Sequence, residues 1–158
     1  MANNYTLFSE ALSLHTFEQR RWWDDTLKRC EEIVDSPDDE HTPSGNLSVA
    51  IVKALIDWGY LGFQHEIYHD HIVFYSEDTG GVGVVGLLVQ RFLREFDPYG
   101  CWALTWAESC SKPRIGEFSG GGMFVTARNI SFQYSGGWTQ RMIRAHEKRM
   151  ATKKRKKK

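Results

Sequence analysis

Residues 101–110, CWALTWAESC, alternate with a period of two. Trp102, Leu104 and Trp106 fall on one side of an extended chain, and Ala103, Thr105 and Ala107 fall on the other. Two indoles and a leucine on one face are costly to leave in water, so that face needs an apolar layer against it. The small residues opposite need none. Helical periodicities elsewhere in the chain offer the layer. Trp23, Leu27, Cys30 and Val34 recur at spacings of four, three and four, behind a Thr16–Gln19 pair at capping-box spacing. Leu47, Ile51, Ala54, Leu55 and Trp58 mark a second helix that Gly59 terminates. Val85, Leu88, Val89, Phe92 and Phe96 mark a third, stopped by Asp97-Pro98.

The remaining extended runs are YTLFSEAL near the start, FQHEIYHDHIVFYSED turning near Asp70, and MFVTARNISFQY as one strand or a tight hairpin. GWTQRMIRAHEKRM reads as a last helix, and DSPDDEHTPSGN (35–46), with two prolines, as an exposed loop. The order is β-α-α-β-β-α-β-β-α. Short links between successive strands predict an α+β domain with an antiparallel sheet of about four to five strands and three to four helices packed mainly on one face. Residues 1–150 are expected to form that single domain and 151–158 a disordered basic tail.

A formal net charge of zero hides a segregation. From Trp138 to Lys158 there are ten Lys or Arg against one acid, Glu147; residues 1–137 carry ten against nineteen acids, a net of −9. The tail KKRKKK is a like-charge block suited to attracting phosphates, whereas the acidic body argues against a broad DNA-binding face. Hydrophobic residues make up 41% of the chain, enough for a folded core. No apolar run reaches membrane-spanning length, and MANNYTLFSE lacks a signal-peptide pattern. Three cysteines without a C-x-x-C pair suit reduced thiols. A cytoplasmic protein without a membrane partner is expected.

Four features bear on chemistry. Gly81-Val82-Gly83-Val84-Val85-Gly86 matches G-x-G-x-x-G, and Glu108 lies where a ribose-binding acid would fall. A dinucleotide site needs those glycines in the tight turn between a parallel strand and its helix. Here SEDTG intervenes, and Glu77 and Asp78 place negative charge beside any phosphate. The better reading is a glycine-rich helix start packed against the sheet and capped by Thr79 or Asp78, with no cofactor.

His65, His69 and His71 share one face if their strand is unbroken, and grouped imidazoles hold zinc or another transition metal. If the chain turns at Asp70 they diverge. In ESCSKPRIGEFSGGG, Ser109, Ser111, Lys112 and Arg114 with Gly120, Gly121 and Gly122 form a candidate anion- or partner-binding loop. The alternative is a long hairpin connection whose glycines permit a bulge. Trp102 and Trp106, near Lys112 and Arg114, are the candidate base-stacking pair, although they and Trp22, Trp23 and Trp58 read mainly as core.

The segments NYTLFSEAL and WALTWAESCSKPRIGEFSGGGMFVTARNI resemble a family of small uncharacterised proteins encoded by bacteria, plasmids and phages. The shared blocks are YTxFS and CSKPRxGEFxGGG, covering roughly 4–12 and 100–130. The resemblance implies one compact domain of bacterial or mobile-element origin and carries no catalytic residue. These observations together predict a small accessory protein that binds a protein or nucleic acid without catalysis, in a host-interaction or counter-defence role. The competing expectation is an enzyme using the histidine cluster as a metal site, or a phosphate-bearing ligand at the glycine loops.

Overall fold

The computed structural model describes residues 4–36, 45–112 and 118–155. The elements run β1 (Asn4–Ser13), α1 (Phe17–Asp35), α2 (Val49–Trp58), β2 (Gln64–Ile67), β3 (His71–Ser76), α3 (Val82–Phe96), β4 (Cys101–Cys110), β5 (Ser119–Thr126), β6 (Ile130–Tyr134) and α4 (Ser135–Arg155). The strands form one six-stranded antiparallel sheet in the order β2-β3-β1-β4-β5-β6. The α+β class follows as expected, with one strand more than the upper estimate. Residues 119–134 supply two strands because Thr126 closes a turn between them. Its Oγ1 accepts the amide N–H of Asn129 at 3.0 Å, and its own N–H donates to Asn129 O at 2.8 Å.

Local rules explain the helix ends. Thr16 Oγ1 accepts Gln19 N–H at 3.1 Å while Gln19 Oε1 accepts Thr16 N–H at 3.3 Å, the reciprocal box expected from the sequence. Gly59 ends α2 at φ 68°, where an L side chain is strained. α3 departs from expectation. Its N-cap is Gly81, with no side-chain cap bond, so neither Thr79 nor Asp78 caps it. α4 carries helical backbone into the basic segment as far as Arg155, and 156–158 lie outside the described residues.

The core fills the space between α1, α2 and α3 and one face of the sheet. Phe74, Ile72, Trp102, Leu104, Met123 and Val125 alternate inward from three strands. They meet Trp23, Leu27, Ile51, Leu55, Leu88 and Phe92 from the helices. Its aromatic centre is packed edge to face: Trp22 on Trp23 at 5.0 Å and 83°, Trp23 on Phe74 at 5.1 Å and 62°. Trp58 is a correction to the expected core. It is 42% exposed and packs on Tyr60 at the end of α2.

β1 lies at the centre and changes partner along its length. Phe8 to Ser13 pair with β3, and Asn4 to Leu7 pair with β4. Past the end of the β4 pairing, Trp102 Nε1 donates to Ala11 O at 2.8 Å, so an indole N–H serves a β1 carbonyl there.

Candidate functional site

The histidines do not converge. The chain turns at residues 68–70, leaving His65 on β2 opposite Phe74 and His71 on β3 opposite Ser13. Phe74 faces the core, so His65 points to the helix side of the sheet and His71 to the other. Burial lowers the pKa of His65 below its ordinary value, favouring the neutral ring. His71 Nδ1 lies 2.7 Å from Asp70 Oδ1, and its ring stacks on Tyr68 at 4.6 Å. His69 is exposed in the turn, where its carbonyl accepts from Arg20 at 2.6 Å. Among the described residues no three His, Cys, Asp or Glu side chains group to hold a metal ion. The metal expectation for His65, His69 and His71 is therefore corrected, and the cause is the turn at Asp70.

The stacking pair is corrected too. Trp102 and Trp106 are 7% and 5% exposed and face inward, so neither offers a ring to a base. The burial of Trp106 also accounts for Gly121 within the triple glycine. Gly120, Gly121 and Gly122 belong to β5, opposite Ala107, Trp106 and Thr105, and not to a binding loop. A Cβ on Gly121 would strike the Trp106 ring and come within 2.7 Å of Gln133 O; one on Gly120 would lie 2.5 Å from Trp106 O. Gly121 is the room that the Trp106 indole requires, and Gly120 makes way for the β4 main chain. A Cβ on Gly122 would meet nothing closer than 3.7 Å. Trp106 Nε1 donates to Glu108 Oε1 at 3.2 Å, and Ser119 Oγ donates to Glu108 Oε2. Glu108 thus buttresses the β4–β5 pair.

Of the remaining loop candidates, Ser109 is the penultimate residue of β4, opposite Tyr5 and half-buried, and Ser111 and Lys112 are exposed. Arg114 lies outside the described residues.

The exposed aromatic surface sits one strand further on. Phe132 and Tyr134 on β6 are 43% and 50% exposed, with ring planes 18° apart. Trp106 backs both, at 6.4 Å and 5.3 Å edge to face. The chain passes directly from Tyr134 into α4, whose side chains from Ser135 to Lys148 are all exposed. Trp138 is 55% exposed, Met142 53% and Ile143 47%. Arg141 and Arg144 rise from the same helix and form no ion pair among the described residues. Sequence reasoning misses this combination because ISFQY alternates strictly, so Phe132 and Tyr134 read as an ordinary inward strand face. The signal available is Phe132, Tyr134 and Trp138 immediately ahead of the basic run.

Gly80, Gly81 and Gly86 of the stretch at α3 sit in close packing, whereas Gly83 faces open space. A Cβ on Gly80 would come within 2.8 Å of Phe8 Cε1, and one on Gly86 within 2.5 Å of Met123 Sδ. The N–H of Gly81 donates to Gly62 O at 2.5 Å, which removes it as a phosphate donor. Beside it a cleft of about 530 Å³ opens between the α2–β2 and β3–α3 connections, with Tyr5, Tyr60 and Phe63 in its walls and Glu77 and Asp78 among its lining. Anionic walls disfavour a pyrophosphate.

No protein-family model, no curated protein and no solved structure matches this chain.

Proposed function

We propose that this is a small non-catalytic binding protein that engages nucleic acid through α4 and the aromatic residues at its root. One observation carries the reading: α4 is a basic helix whose side chains meet solvent throughout 135–148, and it starts beside the exposed rings of Phe132, Tyr134 and Trp138. Phosphate neutralisation by Lys and Arg with bases stacked on aromatic faces is the chemistry of single-strand binding. The concentration of ten Lys or Arg after residue 137 keeps that positive charge apart from the acidic body. Exposed Lys112 is a secondary phosphate contact.

The resemblance to small bacterial, plasmid and phage proteins supports a mobile-element origin and a host-interaction or counter-defence role. Three free cysteines suit the reducing cytoplasm, and burial pushes the Cys30 thiol up to about 12, leaving it inert there. Among the described residues no helix is long and apolar enough to cross a membrane.

Fluorescence anisotropy with labelled single-stranded and duplex oligonucleotides, titrated at several salt concentrations, tests the reading. We expect salt-dependent binding that Arg141→Glu/Arg144→Glu weakens, with a log–log salt slope shallower by about 1 for each phosphate no longer neutralised. Trp138→Ala should weaken single-strand binding by about 1–3 kcal/mol. Absence of binding to both oligonucleotides at about 50 mM salt sinks the nucleic-acid reading and turns attention to a protein partner.

A further inference from the structure

The cleft beside the glycine stretch combines aromatic walls with two carboxylates. Tyr5 comes from β1, Tyr60 and Phe63 from the α2–β2 connection, and Glu77 and Asp78 from the β3–α3 connection. Neither carboxylate joins an ion pair among the described residues, although both lie in a body of net charge −9. Two hydrogen bonds of the Asp78 main chain, one to main chain and one to a side chain, hold the acidic wall in place. Asp78 O accepts Thr6 N–H at 2.6 Å, and Asp78 N–H donates to Ser76 Oγ, itself only 7% exposed, at 3.4 Å. The opposite wall is pinned through Gly81 N–H to Gly62 O at 2.5 Å. Both walls are therefore built before any ligand arrives.

Tyrosine and phenylalanine faces carry negative quadrupoles that attract cations, most strongly where water is partly excluded. Carboxylates at the same site add charge and accept hydrogen bonds from N–H donors. A volume near 530 Å³ is far larger than a metal ion needs and falls in the range of organic ligands.

We propose that this cleft binds an organic cation, a guanidinium or alkylammonium group seated against Tyr60 and Tyr5 and paired with Glu77 and Asp78. The group belongs either to a basic side chain of a peptide or to a free amine. The site is opposite in charge to α4 and does not depend on the nucleic-acid reading.

Amide chemical-shift titration of the full chain decides the matter, with four probes: acetyl-arginine amide, a short arginine-containing peptide, agmatine, and the uncharged isostere acetyl-citrulline amide. Arginine amide should shift the amides of residues 60–64 and 76–79 in a saturable way, and citrulline amide should not. Glu77→Gln/Asp78→Asn should weaken that binding roughly tenfold or more. Its amide spectrum elsewhere and its melting temperature should be unchanged, because the substitutions leave the main-chain bonds intact. Tighter binding of the peptide than of agmatine assigns a peptide source, and the reverse assigns a free amine. Equal binding of citrulline and arginine amides, or unchanged affinity in the double variant, overturns the proposal. So does the absence of any saturable shift. Inorganic phosphate shifting the same amides would overturn it in favour of an anion site.

Discussion

Single residues decide what the two glycine runs do. Gly121 has no space for a methyl group, since the Trp106 ring and the main-chain oxygen of Gln133 occupy it. Gly121→Ala should destabilise the fold by about 1–3 kcal/mol, measured by urea unfolding, because a strand carbonyl yields less easily than a side-chain end. Gly83 sits in the first turn of a helix, and a Cβ there would project into open space with nothing within 4 Å. Gly83→Ala should be neutral or stabilising by up to about 1 kcal/mol. If Gly83→Ala proved the more damaging of the two, the close-packing explanation would be wrong. His65 gives a pH dependence. Burial depresses its folded pKa below the unfolded value of about 6.5, so its neutral form supports the fold above that pH. Its contribution is lost as pH falls from there through the depressed folded value, because the unfolded chain binds the proton more readily. Denaturation midpoints of wild type and His65→Gln should diverge in slope below about pH 6.5, the variant losing part of the acid sensitivity.

At the scale of elements, end chemistry is the most legible part. The Thr16–Gln19 box is a four-residue signal, and its bonds form within the segment that encodes it. Thr16→Ala should cost about 1 kcal/mol of stability by removing the acceptor for Gln19 N–H. An unchanged unfolding midpoint would mean that packing of Trp22, Trp23 and Leu27 holds α1 unaided. The strand faces are legible for the same reason. Trp102, Leu104 and Trp106 turn inward as their alternation dictates. The start of α3 is not legible in this way. Local chemistry points to a cap from Thr79 or Asp78, whereas the chain closes on Gly62 through a main-chain bond. That partner lies nineteen residues away in sequence, beyond the reach of any local motif.

For the whole molecule, charge segregation is the governing property. Removing residues 149–158 would leave thirteen Lys or Arg against twenty Asp or Glu, turning a neutral chain into one of net −7. Such a chain should keep the melting temperature of the parent to within about 2–4 °C, since the core lies between the sheet and α1–α3. It should lose most of its affinity for oligonucleotides at moderate salt. Retained affinity would move the phosphate contacts away from the basic segment.

The amino-acid order by itself determined the α+β class, the antiparallel habit, the inward strand faces, the α1 capping box and the Gly59 end of α2, because each depends on periodicity or on bonds within a few residues. The tertiary structure alone decided the sites. Whether three histidines converge depends on a turn at Asp70 that sends His65 and His71 to opposite faces. Whether Trp106 is a platform or a core residue depends on Gly121 and Tyr134 in neighbouring strands. The acidic cleft exists because β1, the 60–64 connection and the 76–79 connection meet at one end of the sheet. Side-chain proximity across such distances is set by strand order and by what packs on each face, and neither is written in local spacing.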